Sequence, residues 1–373
     1  MPDVVVVGGG VVGAAVTYRL ATAGARVTLL EAGQLGSGTS GMSIAWINSN
    51  DKPPLEYHEL NTGGMAEHAT LAREFGAAPW LHLTGHLEWV DDPAAAQQLE
   101  DKVSRLQAWG YQAELLTPRE ARQLEPDLAI PDGTAFVASY PAEGYVDPVL
   151  FIGVLTRAAE RAGASVQTRA PVASFLQQGS RIKGVVTEDG TEYAADVVVL
   201  CAGPWTDRVA AQAGLDVPLA PATGLFVITA PAPISLRAIV HAPGITVRPD
   251  GAGRLMMRSP DVEATVTPET PTMPIPSECD RILRRAVEIL PKLDGTPLEA
   301  ARIGVRPMPR DGYPIVGWAP EREGLYMVCT HSGVTLAPLL GRIAAREIMD
   351  GVVDPRITGF RPERLVTAVP RVE

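Results

Sequence analysis

The sequence is poor in several features that mark large classes of protein. Only four of its 32 basic residues are lysines, acidic residues number 43, and the net charge is −11. No lysine- or arginine-rich run occurs, which argues against nucleic acid and anionic membrane surfaces as partners. No stretch approaches the length of a membrane-spanning helix. The N-terminal apolar run, Val4 to Val7, lacks a basic flank, so no signal peptide is expected. Cysteine is scarce: Cys201, Cys279 and Cys329 are widely spaced and form no metal-ligand pattern. No metal site is expected, and a reduced, cytoplasmic setting is the default. Cys201 and Cys329 end apolar stretches and read as packing residues. There is no internal repeat and no low-complexity tract.

What is present points to a globular protein of two domains. The chain has 373 residues, 46% of them hydrophobic and 20% charged. Its organising stretch is the first. Val4 to Val7 lead into Gly8-Gly9-Gly10-Val11-Val12-Gly13, then an apolar helical segment, Gly24, and Val27 to Glu31. This is a buried strand, a glycine turn, a helix and a second strand closed by an acid. Gly8 permits the tight turn, Gly10 lets the backbone approach a pyrophosphate, and Gly13 lets the helix pack on the sheet. The helix N-terminus offers N–H groups to phosphates, and Glu31 can accept from a ribose 2′-hydroxyl, which disfavours NADP. The unit predicts a bound dinucleotide and leaves NAD and FAD open. Gly38, Thr39, Ser40 and Ser43 follow in a small hydroxyl-rich loop suited to phosphates. Trp46 and Asn48 then stand where a site could border the cofactor.

From Asp51 the βα rhythm stops. A helix is expected over 55–75, loosened at Gly63-Gly64. Asp92-Pro93 and Thr117-Pro118-Arg119-Glu120 read as helix starts, the second a capping box. Strands are expected over 166–168, 172–175, 182–187 and 196–203, with an Asp189-Gly190 hairpin turn. Short alternating strands follow at 225–229, 245–248 and 255–258. The last part runs from a loop at Arg302 to a strand over 325–329, a polar turn, and a helix over about 335–349. The expected fold is therefore α/β, a Rossmann-like domain from residues 1–50, 145–215 and 301–373. An α+β domain with a mostly antiparallel sheet is expected from 51–144 and 216–300.

With these parts placed, the chain resembles the D-amino-acid oxidase superfamily of FAD-dependent amine and amino-acid oxidoreductases, which includes glycine oxidase, sarcosine oxidase and small D-amino-acid dehydrogenases. The resemblance covers almost the whole chain. It rests on Gly8 to Gly13 with Glu31, the Gly38-Thr39-Ser40 loop, Gly144 to Pro148, Cys201-Ala202-Gly203-Pro204-Trp205, and Gly304 to Gly317 followed by Thr330 to Pro338. It implies FAD, with Glu31 on the adenosine ribose, Val172 on the adenine side, and Ala202 and Gly203 close by. Gly304, His331, Gly333, Val334 and Thr335 would border the flavin. Arg306 would hold a substrate carboxylate, with Arg258 or Arg248 as substitutes, or else pair with an acid such as Asp311. Arg306 and His331 are the expected catalytic residues; Trp46, Asn48 and Arg258 are expected at the substrate.

The implied reaction is oxidation of a C–N bond by hydride transfer to flavin, giving an imine that hydrolyses. Oxygen or another acceptor would take the electrons. No histidine or cysteine stands in the 37–43 or Gly304 loops, so non-covalent FAD is expected. None of the four lysines occupies an obvious place for oxygen chemistry. Three rival readings are a flavin monooxygenase or halogenase, a tRNA-modifying oxidase, and a non-catalytic FAD-binding protein. The first would show Gly-Asp where Thr330-His331-Ser332-Gly333 stands, and the second would want a basic face.

Overall fold

The computed structural model describes residues 1–220 and 222–369. Two sheets organise it. The first has six strands in the order Ile315–Trp318, Leu325–Cys329, Val197–Leu200, Asp3–Val7, Arg26–Glu31, Ser165–Thr168. All neighbours are parallel except the first pair. The central strands Asp3–Val7 and Val197–Leu200 are valine runs because both faces of this sheet are covered.

One face carries the helices Val11–Thr22, Pro148–Arg161 and Gly333–Asp350, packed with few large side chains between them. A Cβ on Gly341 would lie 2.7 Å from the Ala15 backbone, so the first and last helices cross at near backbone contact. The same close approach accounts for Gly63-Gly64. The helix Leu55–Phe75 runs unbroken through them, contrary to the loosening expected, because a Cβ on Gly64 would meet the Thr335 carbonyl at 2.4 Å. The pair is a packing notch that seats this helix on the last one.

The second sheet has eight strands, in the order Leu298–Arg306, Ala222–Thr229, Leu255–Arg258, Ile245–Pro249, Ile239–Ala242, His86–Glu88, Val137–Tyr140, Glu114–Leu116. It is antiparallel except where Ile239–Ala242 meets His86–Glu88. Its strands come from two separated parts of the chain, and its inner face packs under the helix Cys279–Ile289. Residues 302–306 correct the expected loop: they end an edge strand paired with Ala222–Thr229 as far as Arg306 opposite Ala222. Being an edge strand, it is only partly buried, and its apolar alternation is weak. The capping signals hold. Asp92 accepts from Ala95 N–H, Thr117 and Glu120 form a reciprocal capping box, and Asp147 caps Pro148–Arg161.

Candidate active site

The glycine turn is dictated by backbone crowding. Gly8 has φ +107°, and a Cβ there would lie 2.4 Å from the Cys201 carbonyl oxygen. A Cβ on Gly13 would come within 1.9 Å of the Gly8 carbonyl, so Gly13 acts through packing and lines no cavity. Beside this turn opens a cleft of about 570 Å³ whose walls include Gly8, Gly10, Glu31, Gly38 to Ser40, Val172, Ala202 and Gly203. Glu31 Oε2 accepts from Gly9 N–H at 2.7 Å and Oε1 from Gly33 N–H at 2.7 Å. These two bonds fix the carboxylate at the end of its strand, with further lone pairs free for hydroxyl donors. Pro204 and Trp205 close the far wall.

A smaller cavity, about 80 Å³, continues from Gly10, Thr39 and Ser40 to Ser43, Cys329, His331, Gly333 and Val334. It opens in turn on a third, about 380 Å³, whose walls include Ser43, Trp46, Asn48, Gly304, His331, Val334 and Thr335. The run of cavities from Glu31 to Gly304 is a bent trough along the carboxyl ends of the parallel strands. That is where open α/β sheets bind ligands. The helix Gly333–Asp350 starts in the trough wall, so its free N–H groups and positive dipole end face it.

The third cavity gathers side chains from segments far apart in sequence. Arg306 stands at the end of the edge strand and Arg258 at the end of Leu255–Arg258. Both reach Glu263: Arg306 Nη2 donates to Oε2 at 2.9 Å, and Arg258 Nε to Oε1 at 2.7 Å. The acid paired with Arg306 is thus Glu263 rather than Asp311, which is held by Arg364. Arg248 is buried elsewhere, donating to the Ile44 carbonyl and pairing with Asp250.

Lys52 lines this cavity with Asp51, although no lysine was expected at the site. It arrives from a Pro-flanked loop with no motif around it, so only the folded chain reveals it. Burial pulls its pKa down, opposed by Asp51 and Glu143. Glu263 was missed for the same reason; it ends a one-turn helix, Pro260–Glu263, with no local signature.

His331 has its pKa pulled down to about 4, first by burial and then by Lys52 and Arg306, so it is neutral near pH 7. The turn that carries it is pinned. Tyr57 Oη and Ser332 Oγ share a hydrogen bond of 2.7 Å, and Ser332 N–H donates to Thr330 Oγ1. Thr335 Oγ1 accepts from Asn48 N–H at 3.3 Å, tying the last helix to the opposite wall. Behind that wall, the fully buried Glu143 accepts from Trp46 Nε1, Asn50 N–H and Tyr111 Oη. His58 bonds to Ser49 and His241 to His86; neither lines the cavity.

The trough fits dinucleotides, FAD among them, on the chemistry of its own atoms. Glycines leave no Cβ at the turn, an acid stands at one end, and a helix N-terminus stands at the other. Asn48 Oδ1 is buried without a hydrogen-bond partner among the described residues. Gly304 serves a different end: a Cβ there would strike the Met42 carbonyl at 2.5 Å, so it lets two walls of the trough meet. Among the described residues no group of three His, Cys, Asp or Glu side chains could hold a metal ion.

Comparison with known proteins agrees with this fold. The model of the FAD-dependent oxidoreductase family matches residues 3–347. Glycine oxidase of Geobacillus kaustophilus is 30% identical over 353 residues, covering 92% of each chain. The crystal structure of glycine oxidase from that organism superposes with a TM-score of 0.85 at 28% identity, over 96% of this chain and 98% of that one. L-Proline dehydrogenase from P. horikoshii shares the fold, with a TM-score of 0.86 at 23% identity over 97% of each chain.

Proposed function

The chain belongs to the FAD-dependent oxidoreductase family, and we propose that it oxidises the C–N bond of a small amine or amino acid bearing a carboxylate. Glycine, an N-methyl or cyclic amino acid, or a D-amino acid fits the cavity's chemistry. The observation that carries this reading is Arg306, a guanidinium on the wall of a cavity that runs on to the His331–Thr335 helix start. The monooxygenase and non-catalytic readings gain nothing from the relatives, which include proteins named glycine oxidase, 4-methylaminobutanoate oxidase and sarcosine dehydrogenase.

In this reading Glu31 would hold the adenosine ribose, Val172, Ala202 and Gly203 would flank the adenosine end, and Gly10 and Gly38 to Ser43 would take the pyrophosphate. FAD, when bound, supplies the hydride acceptor. The chain's residues do the rest by placement. Arg306 binds the substrate carboxylate through the planar fork that suits it. That leaves the α-carbon facing the strip formed by Gly304, His331 and Thr335. Trp46 and Asn48 line the same cavity beside Thr335. The start of the last helix favours negative charge in the trough. His331 stays neutral and adds no competing cation. The amine loses a hydride from carbon and a proton from nitrogen, and the imine hydrolyses; orientation supplies most of the rate.

We assign cofactor binding to residues 1–50, 145–215 and 301–373, and substrate binding to 51–144 and 216–300, with residues 221 and 370–373 lying outside the described residues. The edge strand ending at Arg306 joins the second group by its pairing. Non-covalent FAD is supported by Cys329. Its thiol is buried and pushed up to about 12, which leaves it protonated and a poor nucleophile. Its location is proposed to be the cytoplasm; three free, buried thiols suit a reduced compartment, and no helix among the described residues is long and apolar enough to cross a membrane. The test is anaerobic. Glycine, sarcosine, proline and D-amino acids are added to purified protein while the flavin absorbance is followed. Bleaching by one of them supports the reading, and recovery on admitting air identifies oxygen as acceptor. A flavin that none of these compounds bleaches would contradict it.

A further inference from the structure

The cation expected to take a substrate carboxylate already has one. Glu263 Oε2 lies 2.9 Å from Arg306 Nη2, and the same carboxylate is gripped by Arg258. Two guanidiniums facing one carboxylate leave a surplus of one positive charge at this end of the cavity. Asp51 and Lys52, adjacent in the chain on the opposite wall, carry one charge of each sign and add no further surplus. Glu263 is well shielded, its side chain 9% exposed, whereas Arg306 is 36% exposed and so keeps donors available to a ligand.

We propose that Glu263 is a specificity-determining residue that restricts the cavity to substrates with a single carboxylate. The inference rests on the reading of Arg306 as the carboxylate anchor. One substrate carboxylate neutralises the surplus charge and shares Arg306 with Glu263. A second carboxylate on the ligand would face Glu263 at short range. Like charges in such a partly desolvated place repel strongly unless a cation separates them. The two arginines cannot serve a second anion, because Arg258 is held through two of its nitrogens by Glu263. Removing the Glu263 charge while keeping its shape would raise the surplus to two and release Arg258. The same cavity would then match a dicarboxylate.

The experiment needs no turnover. Acetate and malonate are titrated into the holoenzyme at pH 7.5, and their dissociation constants are read from the change in the flavin visible spectrum. Three proteins are compared: the native protein, Glu263→Gln, and Glu263→Gln combined with Arg258→Gln. The native protein should favour acetate. Glu263→Gln should shift the acetate-to-malonate ratio toward malonate by about tenfold or more. The double variant, with a surplus of one restored, should return the ratio to within roughly threefold of native. A merely structural role for Glu263 would weaken both anions together and would not be reversed by losing Arg258. An unchanged ratio in Glu263→Gln, or no reversal in the double variant, would overturn the proposal. So would spectra that neither anion alters in any of the three. If the ratios move as expected while no amine bleaches the flavin, the Glu263 assignment stands and the oxidation reading falls.

Discussion

The cofactor cleft and the substrate cavity adjoin through the small cavity beside His331, yet they are built by opposite means. The cleft is largely backbone: glycines at 8 and 10, with Gly13 packed behind them, N–H groups of a loop and a helix end, and one acid at a strand terminus. Most of its parts lie within the first forty residues. The cavity is side chains, and its charged groups come from residues 51, 52, 258, 263 and 306 on separate elements. A backbone site of this kind leaves little room for change, because an added Cβ would break the turn. A side-chain site can change its charge count one residue at a time, so that is where substrate choice resides. If this division holds, damage to the cleft should remove flavin, and damage to the cavity should leave flavin bound but idle.

The largest effect is expected from Gly13→Val. Its Cβ would strike the Gly8 carbonyl, which is backbone and cannot step aside. Strain at the top of the roughly 1–3 kcal/mol range for overpacking, or above it, should lower Tm and abolish flavin retention together. Native flavin content in a folded Gly13→Val protein would break the account of the turn. Glu31→Ala should follow. Losing charge-assisted bonds of about 1.5–3 kcal/mol weakens FAD by roughly 10- to 150-fold, measured by equilibrium dialysis. The fold should survive, because Gly9 and Gly33 N–H groups can turn to water.

Arg306→Met should cost less, roughly 10- to 30-fold in kcat/KM for the best amino acid, since Arg258 stands close enough to compensate in part. The smallest effect concerns His331. Burial holds its pKa near 4, so it contributes no ionisation to the pH profile between about 5.5 and 8.5, and His331→Asn should leave the shape of that profile unchanged. Its neutral form does couple to stability. A histidine depressed in the folded state stabilises fully above its unfolded value of about 6.5 and loses that contribution as pH falls toward 4. The drop in Tm between pH 7 and pH 4.5 should therefore be smaller in His331→Asn than in the native protein.

The same contrast explains how much the sequence disclosed. Gly8, Gly10, Glu31, Thr39 and Ser40 are legible because a local strand–turn–helix demands them in order. Val172, Ala202, Gly203, Gly333 and Thr335 are suggested by the family resemblance, and each lines the trough. Lys52 and Glu263 were invisible because their place depends on tertiary packing, not on local periodicity. Arg302 to Arg306 read as a loop because an edge strand, paired on one side only, shows little apolar alternation. The strands His86–Glu88 and Ile239–Ala242 carry little local signal because each is short, and their pairing with each other joins parts of the chain far apart in sequence.

The division of labour is tested most directly on Arg306→Met, by measuring bound FAD per chain and the anaerobic rate of flavin reduction by amino acid in the same preparation. The account predicts native FAD content with reduction slowed roughly tenfold or more at subsaturating substrate. Loss of FAD, or reduction at the native rate, would contradict it.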